Sequence, residues 1–181
     1  ILAFKKDFKP DHVVHLGDSW DFACLRKGAS KEERALSTAS DFEEGCSFLK
    51  AYFKGKHKTK TYIWGNHDHR VIEAMAASDA MTSDHAVMLH TYIKRMFRDL
   101  KVKEYEWDAA VCAEIGPIRM VHGMTSALNA PGINAKAYAG KCPTVVAGHN
   151  HYYGYWREPS FDRKEGYACP CLCDLKPDYA R

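Results

Sequence analysis

Four apolar stretches of this chain each end in a Gly or a loop, and the residues beside it are Asp, Asn or His. They cover residues 13–21, 61–68, 118–123 and 144–152. In α/β folds, functional sites lie where strands end, so these polar side chains are candidates for one site. Carboxylates, amides and imidazoles bind divalent metal ions, and imidazole is the commonest side-chain ligand near neutral pH.

The last stretch, 144–152, ends in two His separated by one residue. On an extended segment, alternate side chains point to the same side, so His149 and His151 are predicted to reach into one site. Gly148 allows a tight turn or the close approach of a bound group. The pair alone fits a metal site and an ordinary strand end equally well, and the three similar stretches favour the metal site.

In chain order the four ends read G-D-x-x-D, G-N-H-D, H-G and G-H-x-H, over residues 13 to 151. Together they resemble the calcineurin-like metallophosphoesterase family. The resemblance implies an α/β (α+β) fold, with two mixed β-sheets packed face to face and flanked by helices. The segments C-L-C-D-L and P-D-Y-A near residue 181 resemble phosphoesterases that bacteriophages commonly encode.

The resemblance also implies a metal centre. Two divalent ions would activate a hydroxide and stabilise the phosphoryl oxygens during hydrolysis. Asp18 would bridge the two ions. Asn66, His122 and His149 would bind one ion, and His151 would bind the other. This mixed set of oxygen and nitrogen ligands suits Mn, Fe, Zn or Ni.

Four further residues have implied or candidate roles. His67 resembles the general acid of the family, and we expect Asp68 to fix its tautomer and raise its basicity. Asp21 is a candidate contact to substrate or to a metal-bound water. The fork of Arg70 suits a phosphate, although a salt bridge or packing role is an equal alternative.

Each motif also has an explanation that involves no metal. A polar turn at a strand end accounts for Asp18 and Asp21, and a helix cap accounts for residues 66–68. A hydrogen bond to the backbone accounts for His122. These explanations would all have to hold at once, which makes the joint pattern more specific than any single motif.

The composition indicates one globular domain, and we expect residues 1–181 to form a single metallophosphoesterase domain. Hydrophobic residues make up 46% and charged residues 27%. The net charge of +3 is too small to indicate a nucleic-acid partner by itself. The lysine-rich segment 54–60 is more suggestive, although a solvated loop is the commoner origin of such a run. No apolar run reaches 18 residues, so no membrane span is expected.

Apolar periodicity and capping residues predict the helices and strands that lie around these motifs. A long helix is predicted from a capping box at Ser30 to a stop at Gly55. A short helix is predicted at 70–77 and a longer one from Ser83 or Asp84 onwards. The core stripe of the longer helix is predicted to be Ala86, Leu89, Ile93, Met96, Phe97 and Leu100. A hairpin is predicted around Gly116-Pro117, and residues 132–140 read as a loop with a short helix.

Seven Cys without a C-x-x-C motif are typical of small buried side chains in a reducing compartment. Cys169, Cys171 and Cys173 alternate and are predicted to share one face of a strand, with a thiolate metal site as the alternative. We expect the protein in the cytoplasm of a bacterial or phage-infected cell. The oligomeric state stays open.

Residues 1–9 have the pattern of the second half of an amphipathic helix that Pro10 ends. A helix that leads into a parallel strand follows an earlier strand. We therefore expect a chain truncated at both ends. The resemblance implies that the earlier strand carries an Asp-x-His pair, which completes the second metal position.

These observations predict a metal-dependent phosphoric ester hydrolase. The forms G-D-S-W-D and G-N-H-D differ from the G-D-x-x-D-R-G and G-N-H-E forms of the protein serine/threonine phosphatases. This difference favours phosphodiester or nucleotide substrates, and a nuclease is one such enzyme. The alternatives are a catalytically incomplete binding module on the same fold and a phosphomonoesterase that acts on small metabolites.

Overall fold

The structure, a computed structural model, describes residues 1–108, 111–159 and 163–172. These residues form six α-helices, a three-stranded sheet and a five-stranded sheet, which confirms a mixed α/β fold with two sheets. The chain divides into two compact units, residues 1–107 and 108–181, and each contains one sheet. The expectation of a single domain stays a prediction.

The first unit is built on three parallel strands. Its strands are β1 (His12–His15), β2 (Thr59–Ile63) and β3 (Lys103–Tyr105), in that order across the sheet. Val14 pairs with Thr61, and Ile63 pairs with Tyr105. Because parallel neighbours end at the same edge, the residues that follow β1 and β2 are brought together. The helices are α1 (Leu2–Phe8), α2 (Lys31–Arg34), α3 (Thr38–Tyr52), α4 (Arg70–Ala74) and α5 (Ala80–Leu100), with a 3-10 turn at Ala23–Leu25.

Large aromatic and aliphatic side chains fill the core of the first unit. Trp20, Tyr62 and Phe97 are fully or almost fully buried, and their rings lie 4.8–6.4 Å apart between centroids. Five residues of the predicted stripe of α5 are buried (Ala86, Leu89, Ile93, Met96 and Phe97), and the sixth, Leu100, is partly buried. The helix begins earlier than predicted because the Asp79 carboxylate caps the backbone N–H of Thr82.

The predicted helix from Ser30 to Gly55 is wrong as a single element. The capping box at Ser30 and Glu33 is present, but it starts only the short helix α2. The Ser37 side chain then accepts a hydrogen bond from the N–H of Ser40 and starts α3. A hydroxyl that caps a new helix competes with continuation of the previous one, and apolar spacing does not reveal that break.

The second unit has a mixed sheet with one helix against it. Its strands are β4 (Ala113–Ile115), β5 (Ile118–Val121), β6 (Thr144–Ala147), β7 (Gly154–Arg157) and β8 (Glu165–Ala168), in the order β4-β5-β6-β8-β7. The predicted hairpin at Gly116-Pro117 is confirmed as antiparallel β4 and β5. Strands β5, β6 and β8 are parallel, and Val121 pairs with Ala147 at the ends of β5 and β6.

Helix α6 (Ala130–Tyr138) packs closely on this sheet. A Cβ on Gly166 of β8 would lie 1.9 Å from the carbonyl oxygen of Pro131, so only Gly fits at that position. Ala135 and Ala139 are fully buried, as are Val145 and Ala147 of β6. Small side chains therefore fix β6 against the helix, and β6 is the strand that leads to His149.

The predicted strand through three alternating Cys is wrong for Cys169 and Cys171, because β8 ends at Ala168. Cys173 lies outside the described residues. In the first unit, Cys46 is buried, and burial raises the pKa of its thiol to about 11, so it packs as a small apolar side chain. Among the helices of the described ranges, none is long and apolar enough to cross a membrane.

Candidate metal centre

Asp18 lies in a tight turn directly after β1. Gly17 has φ 95° and Asp18 has φ 56°, so two successive residues adopt left-handed backbone. The Oδ1 atom of Asp18 accepts a hydrogen bond of 3.0 Å from the backbone N–H of His67, in the turn that follows β2. A Cβ on Gly65 would lie 2.0 Å from that same oxygen. Gly65 is therefore the residue that allows the Asp18 carboxylate to approach the second turn.

Asp68 is fully buried and joins these two turns. Its carboxylate accepts hydrogen bonds from the backbone N–H groups of Asp18 (2.8 Å), Gly65 (2.9 Å) and Trp20 (3.2 Å). It also accepts one from the Tyr62 hydroxyl at 2.6 Å. Burial is the main cause that raises the pKa of Asp68 to about 7, and the neighbouring charge of Asp18 is the second. The hydrogen bonds to the carboxylate act in the opposite direction, because they favour its ionised form.

The prediction that Asp68 orients His67 is wrong, because Asp21 occupies that place. His67 Nδ1 lies 2.6 Å from Asp21 Oδ1, whereas Asp68 turns into the core and binds the backbone donors. The hydrogen bond from His67 is the main cause that lowers the pKa of Asp21. A carboxylate at Nδ1 sets the tautomer of an imidazole and leaves Nε2 to act on another group.

Arg70 forms the salt bridge that was the alternative to phosphate binding. Its Nη1 donates to the carbonyl oxygen of Asp21 at 2.6 Å and to Asp21 Oδ1 at 2.9 Å. The Arg70 side chain is only 13% exposed. The carboxylate of Asp21 therefore lies between a guanidinium and an imidazole, and a direct contact of Asp21 or Arg70 with substrate stays a prediction.

Asp41 of α3 supports this arrangement and was missed from the sequence. Its carboxylate accepts hydrogen bonds from the backbone N–H of Asp21 at 3.3 Å and of Phe22 at 2.6 Å. Burial raises the pKa of Asp41. Twenty residues separate Asp41 from Asp21, and no local pattern in the sequence indicates such a contact.

In the second unit, His122 and His149 meet at the ends of two paired strands. His122 follows β5 and is 4% exposed, and His149 follows β6 with φ 67°. His149 Nδ1 lies 3.3 Å from His122 Nε2, with the rings 70° apart in plane. The pairing of Val121 with Ala147 brings the two segments together. The N–H of Gly148 donates to the carbonyl oxygen of Val121 at 3.3 Å.

The ring nitrogens of His122 and His149 fit the divalent metal ion that the resemblance implies. Two imidazole nitrogens that bind one ion at about 2.1 Å in near-tetrahedral geometry lie about 3.3 Å apart. The separation between His122 and His149 is 3.3 Å. A hydrogen bond between two neutral imidazoles accounts for the same distance. Imidazole nitrogens are ligands that borderline divalent metals prefer.

The geometric reason given for His151 is wrong. Residues 149 and 151 both have positive φ, 67° and 61°, so the segment is a turn and the alternation of an extended strand does not apply. The His151 side chain is exposed, and its backbone carbonyl accepts a hydrogen bond from Cys171 Sγ at 3.6 Å. A role for His151 as a metal ligand stays a prediction.

Asn150, between the two His, anchors this turn. It is 6% exposed, and its Nδ2 donates to the carbonyl oxygen of Thr125 at 2.7 Å. Within the part of the chain that the structure describes, its buried Oδ1 has no hydrogen-bond partner. The turn that carries His149 is therefore held by backbone contacts and one side-chain amide.

Comparisons of the chain with models of protein families, with curated proteins and with solved structures find no match. The resemblance to metallophosphoesterases therefore depends on the four sequence motifs. The geometry adds the His67–Asp21 pair and the His122–His149 pair, each within its own unit.

Proposed function

We propose that this protein is a metal-dependent phosphoesterase that hydrolyses phosphodiester bonds in nucleic acids or nucleotides. The observation that carries the proposal is the contact of His67 Nδ1 with Asp21 at 2.6 Å, beside the Asp18 carboxylate, which accepts the N–H of His67. An oriented imidazole next to a carboxylate that suits a metal is the combination that phosphate ester hydrolysis requires.

In this proposal one divalent ion would be held by Asp18, Asn66, His122 and His149, and a second would be held in part by Asp18 and His151. The spacing of the two imidazole nitrogens and the borderline character of the ligands support Mn, Fe, Zn or Ni. When bound, such ions supply charge stabilisation for the phosphoryl oxygens and activate water.

His67 holds the proton for the leaving oxygen. Its Nδ1 is engaged by Asp21, so Nε2 is the nitrogen that faces substrate. Arg70 binds the same carboxylate oxygen of Asp21, at 2.9 Å, and keeps it in place. Imidazole is the side chain that most often acts as a general acid, and a carboxylate at its other nitrogen orients it.

Hydrolysis assays test the role of His67. The 181-residue chain is assayed with Mn²⁺ on two diesters, one with a p-nitrophenyl leaving group and one with an alkyl alcohol. We expect His67→Asn to lower turnover of the alkyl ester by about 10²–10⁴-fold, with a smaller effect on the p-nitrophenyl ester. Bound metal should stay nearly unchanged. The control is His85→Asn, at an exposed His on α5, which should leave both rates intact.

The same assays separate the alternatives. Full activity of His67→Asn on the alkyl ester would remove His67 from the mechanism. Metal binding without turnover of any ester would favour a binding module on this fold, and a preference for p-nitrophenyl phosphate would favour a phosphomonoesterase. Location in the cytoplasm of a bacterial or phage-infected cell stays part of the proposal, to be tested by fractionation.

A further inference from the structure

At the end of the three-stranded sheet where β1 and β2 begin, a group of lysines lies beside two exposed phenylalanines. It is formed by α1 and by the segment 54–60, which leads into β2. Lys5 Nζ donates to the carbonyl oxygen of Lys54 at 2.6 Å, and His57 Nδ1 lies 2.7 Å from the carbonyl oxygen of Pro10. We name this the Lys–Phe surface. Its members are Phe4, Lys5, Lys6, Phe8, Lys9, Lys54, Lys56, Lys58 and Lys60.

The Lys–Phe surface concentrates positive charge. Residues 1–12 and 54–60 contain seven lysines and two aspartates, Asp7 and Asp11, although the whole chain carries a net charge of only +3. Asp11 is already paired with Lys58 at 2.8 Å. Burial and then the charge of Lys60 lower the pKa of Lys5, so these lysines repel one another. A bound polyanion would relieve that repulsion.

The aromatic side chains on α1 are unusually exposed. Phe4 is 63% exposed and Phe8 is 66% exposed, and α1 has no buried residue. The two rings are stacked, with centroids 5.3 Å apart and planes 13° from parallel. Exposed apolar groups beside a charged rim indicate an interaction surface. Flat rings next to lysines suit a partner that has both phosphates and planar bases.

We propose that the Lys–Phe surface binds single-stranded nucleic acid, with the lysines on the phosphates and Phe4 and Phe8 stacked on bases. An anionic membrane would also attract the lysines. However, α1 has only seven residues, so it offers few apolar side chains for insertion into a bilayer. The combination of clustered lysines and exposed rings therefore favours a nucleic-acid strand.

This surface is separate from the candidate metal centre. It lies where β1 and β2 begin, whereas Asp18 and Asn66 follow the points where those strands end. Strands of four and five residues separate the two edges by about 15 Å at roughly 3.3 Å per residue. The Lys–Phe surface would hold a polymer away from the reacting phosphate, and its binding does not require hydrolysis.

Fluorescence anisotropy with a labelled oligodeoxythymidine tests the charge component. The full chain is measured in EDTA, so that metal binding does not contribute. We expect Lys54→Glu with Lys56→Glu to raise Kd at least tenfold. The slope of log K against log salt concentration should also decrease in magnitude by roughly 1.4, because each of the two lost phosphate contacts contributes about 0.7. The control is Lys27→Glu with Lys31→Glu, an equal charge change at exposed lysines elsewhere in the unit. Equal weakening by both pairs would overturn the proposal.

Substitution of the rings tests stacking. Phe4→Leu with Phe8→Leu keeps apolar side chains but removes both π-faces, and we expect Kd for the oligonucleotide to rise at least fivefold. Phe4→Tyr with Phe8→Tyr should bind as the unchanged chain does. An equal affinity of the leucine variant would contradict stacking. Binding to phosphatidylserine vesicles without binding to the oligonucleotide would replace nucleic acid by a membrane as the partner.

A small substrate distinguishes this inference from the proposed function. Turnover of the p-nitrophenyl diester with Mn²⁺ should be the same in the lysine variant and in the unchanged chain, whereas KM for an oligonucleotide should rise. If the chain hydrolyses no ester, the anisotropy result still shows whether the Lys–Phe surface binds nucleic acid. If the lysine variant keeps the same KM for the oligonucleotide, the surface does not hold the substrate.

Discussion

The turns at Asp18 and at His149 both follow the end of a parallel strand, but they are stabilised in different ways. Both place a non-glycine residue at positive φ. The Asp18 turn is bound by the buried carboxylate of Asp68, which accepts four hydrogen bonds. In the second unit, the His149 turn depends on the side chain of Asn150 and on backbone contacts.

The two turns should therefore respond to different changes. The Asp18 turn is organised by groups within the protein, so substitution inside the fold should disturb it most. At the His149 turn, two imidazole nitrogens lie 3.3 Å apart, and imidazole nitrogens are common metal ligands. Both nitrogens could bind one cation, so this turn should respond most to metal.

The largest expected effect is on the free energy of unfolding of Asp68→Ala. Loss of the carboxylate leaves three backbone N–H groups and the Tyr62 hydroxyl without their acceptor. We expect a loss of about 3–5 kcal/mol in urea denaturation, since each buried orphan costs about 1–3 kcal/mol and partial relaxation recovers some of it. Asp99→Ala, at an exposed Asp on α5, should change stability by no more than about 0.5 kcal/mol. Equal effects would mean that Asp68 does not organise the turns.

A second expected effect concerns metal affinity. Gly65→Ala puts a methyl group 2.0 Å from Asp18 Oδ1, so the carboxylate must move. We expect Mn²⁺ affinity to fall at least tenfold in calorimetry. Gly132→Ala is the control, because its methyl group would meet the Trp156 ring at 3.0 Å. It should lower stability and keep metal affinity. Unchanged affinity in Gly65→Ala would separate Asp18 from the metal.

A smaller effect is expected for Tyr62→Phe. This change removes one of the four donors to Asp68, the hydroxyl at 2.6 Å, and keeps the buried ring. The hydroxyl also accepts a hydrogen bond from the N–H of Ser19 at 3.4 Å, so we expect a loss of about 1–2 kcal/mol in thermal or urea denaturation. A loss as large as that of Asp68→Ala would show that packing of the ring, and not the carboxylate, holds the turns.

The last expected effect is a gradual change of the free energy of unfolding with pH, measured without divalent ions. The pKa of Asp68 is about 7 in the folded protein and about 3.9 in an unfolded chain. Between these values the folded state keeps a proton that the unfolded state has lost, so the free energy of unfolding falls as pH rises from about 4 to about 7. The stability of the unchanged chain relative to Asp68→Asn should decline across that range. A constant difference would contradict the raised pKa.

The sequence predicts the strand-end turns well because their causes are local. A β-branched apolar run followed by Gly-Asp or Gly-Asn indicates both a strand and the turn that ends it, and Asp18 and Asn66 follow β1 and β2 as expected. The buried stripe of α5 also follows from a period of three and four.

The partners of His67 and the direction of His151 could not be predicted in the same way. Asp21 reaches His67 across 46 residues, while the adjacent Asp68 turns to backbone donors that only the folded turns bring together. The left-handed backbone at His149 and His151 is rare for residues other than Gly, so the extended pattern was the natural but wrong expectation.

The proposed function requires that Asp18 and His149 bind the same divalent ion. Calorimetric titration with Mn²⁺ of the unchanged chain, Asp18→Asn, His149→Gln and the double variant tests it most directly. We predict that each single change lowers affinity at least tenfold and that the double variant binds little more weakly than either, because groups that share one ion are not independent. If Asp18→Asn binds Mn²⁺ as tightly as the unchanged chain while His149→Gln does not, the two turns do not share an ion and the claim is contradicted.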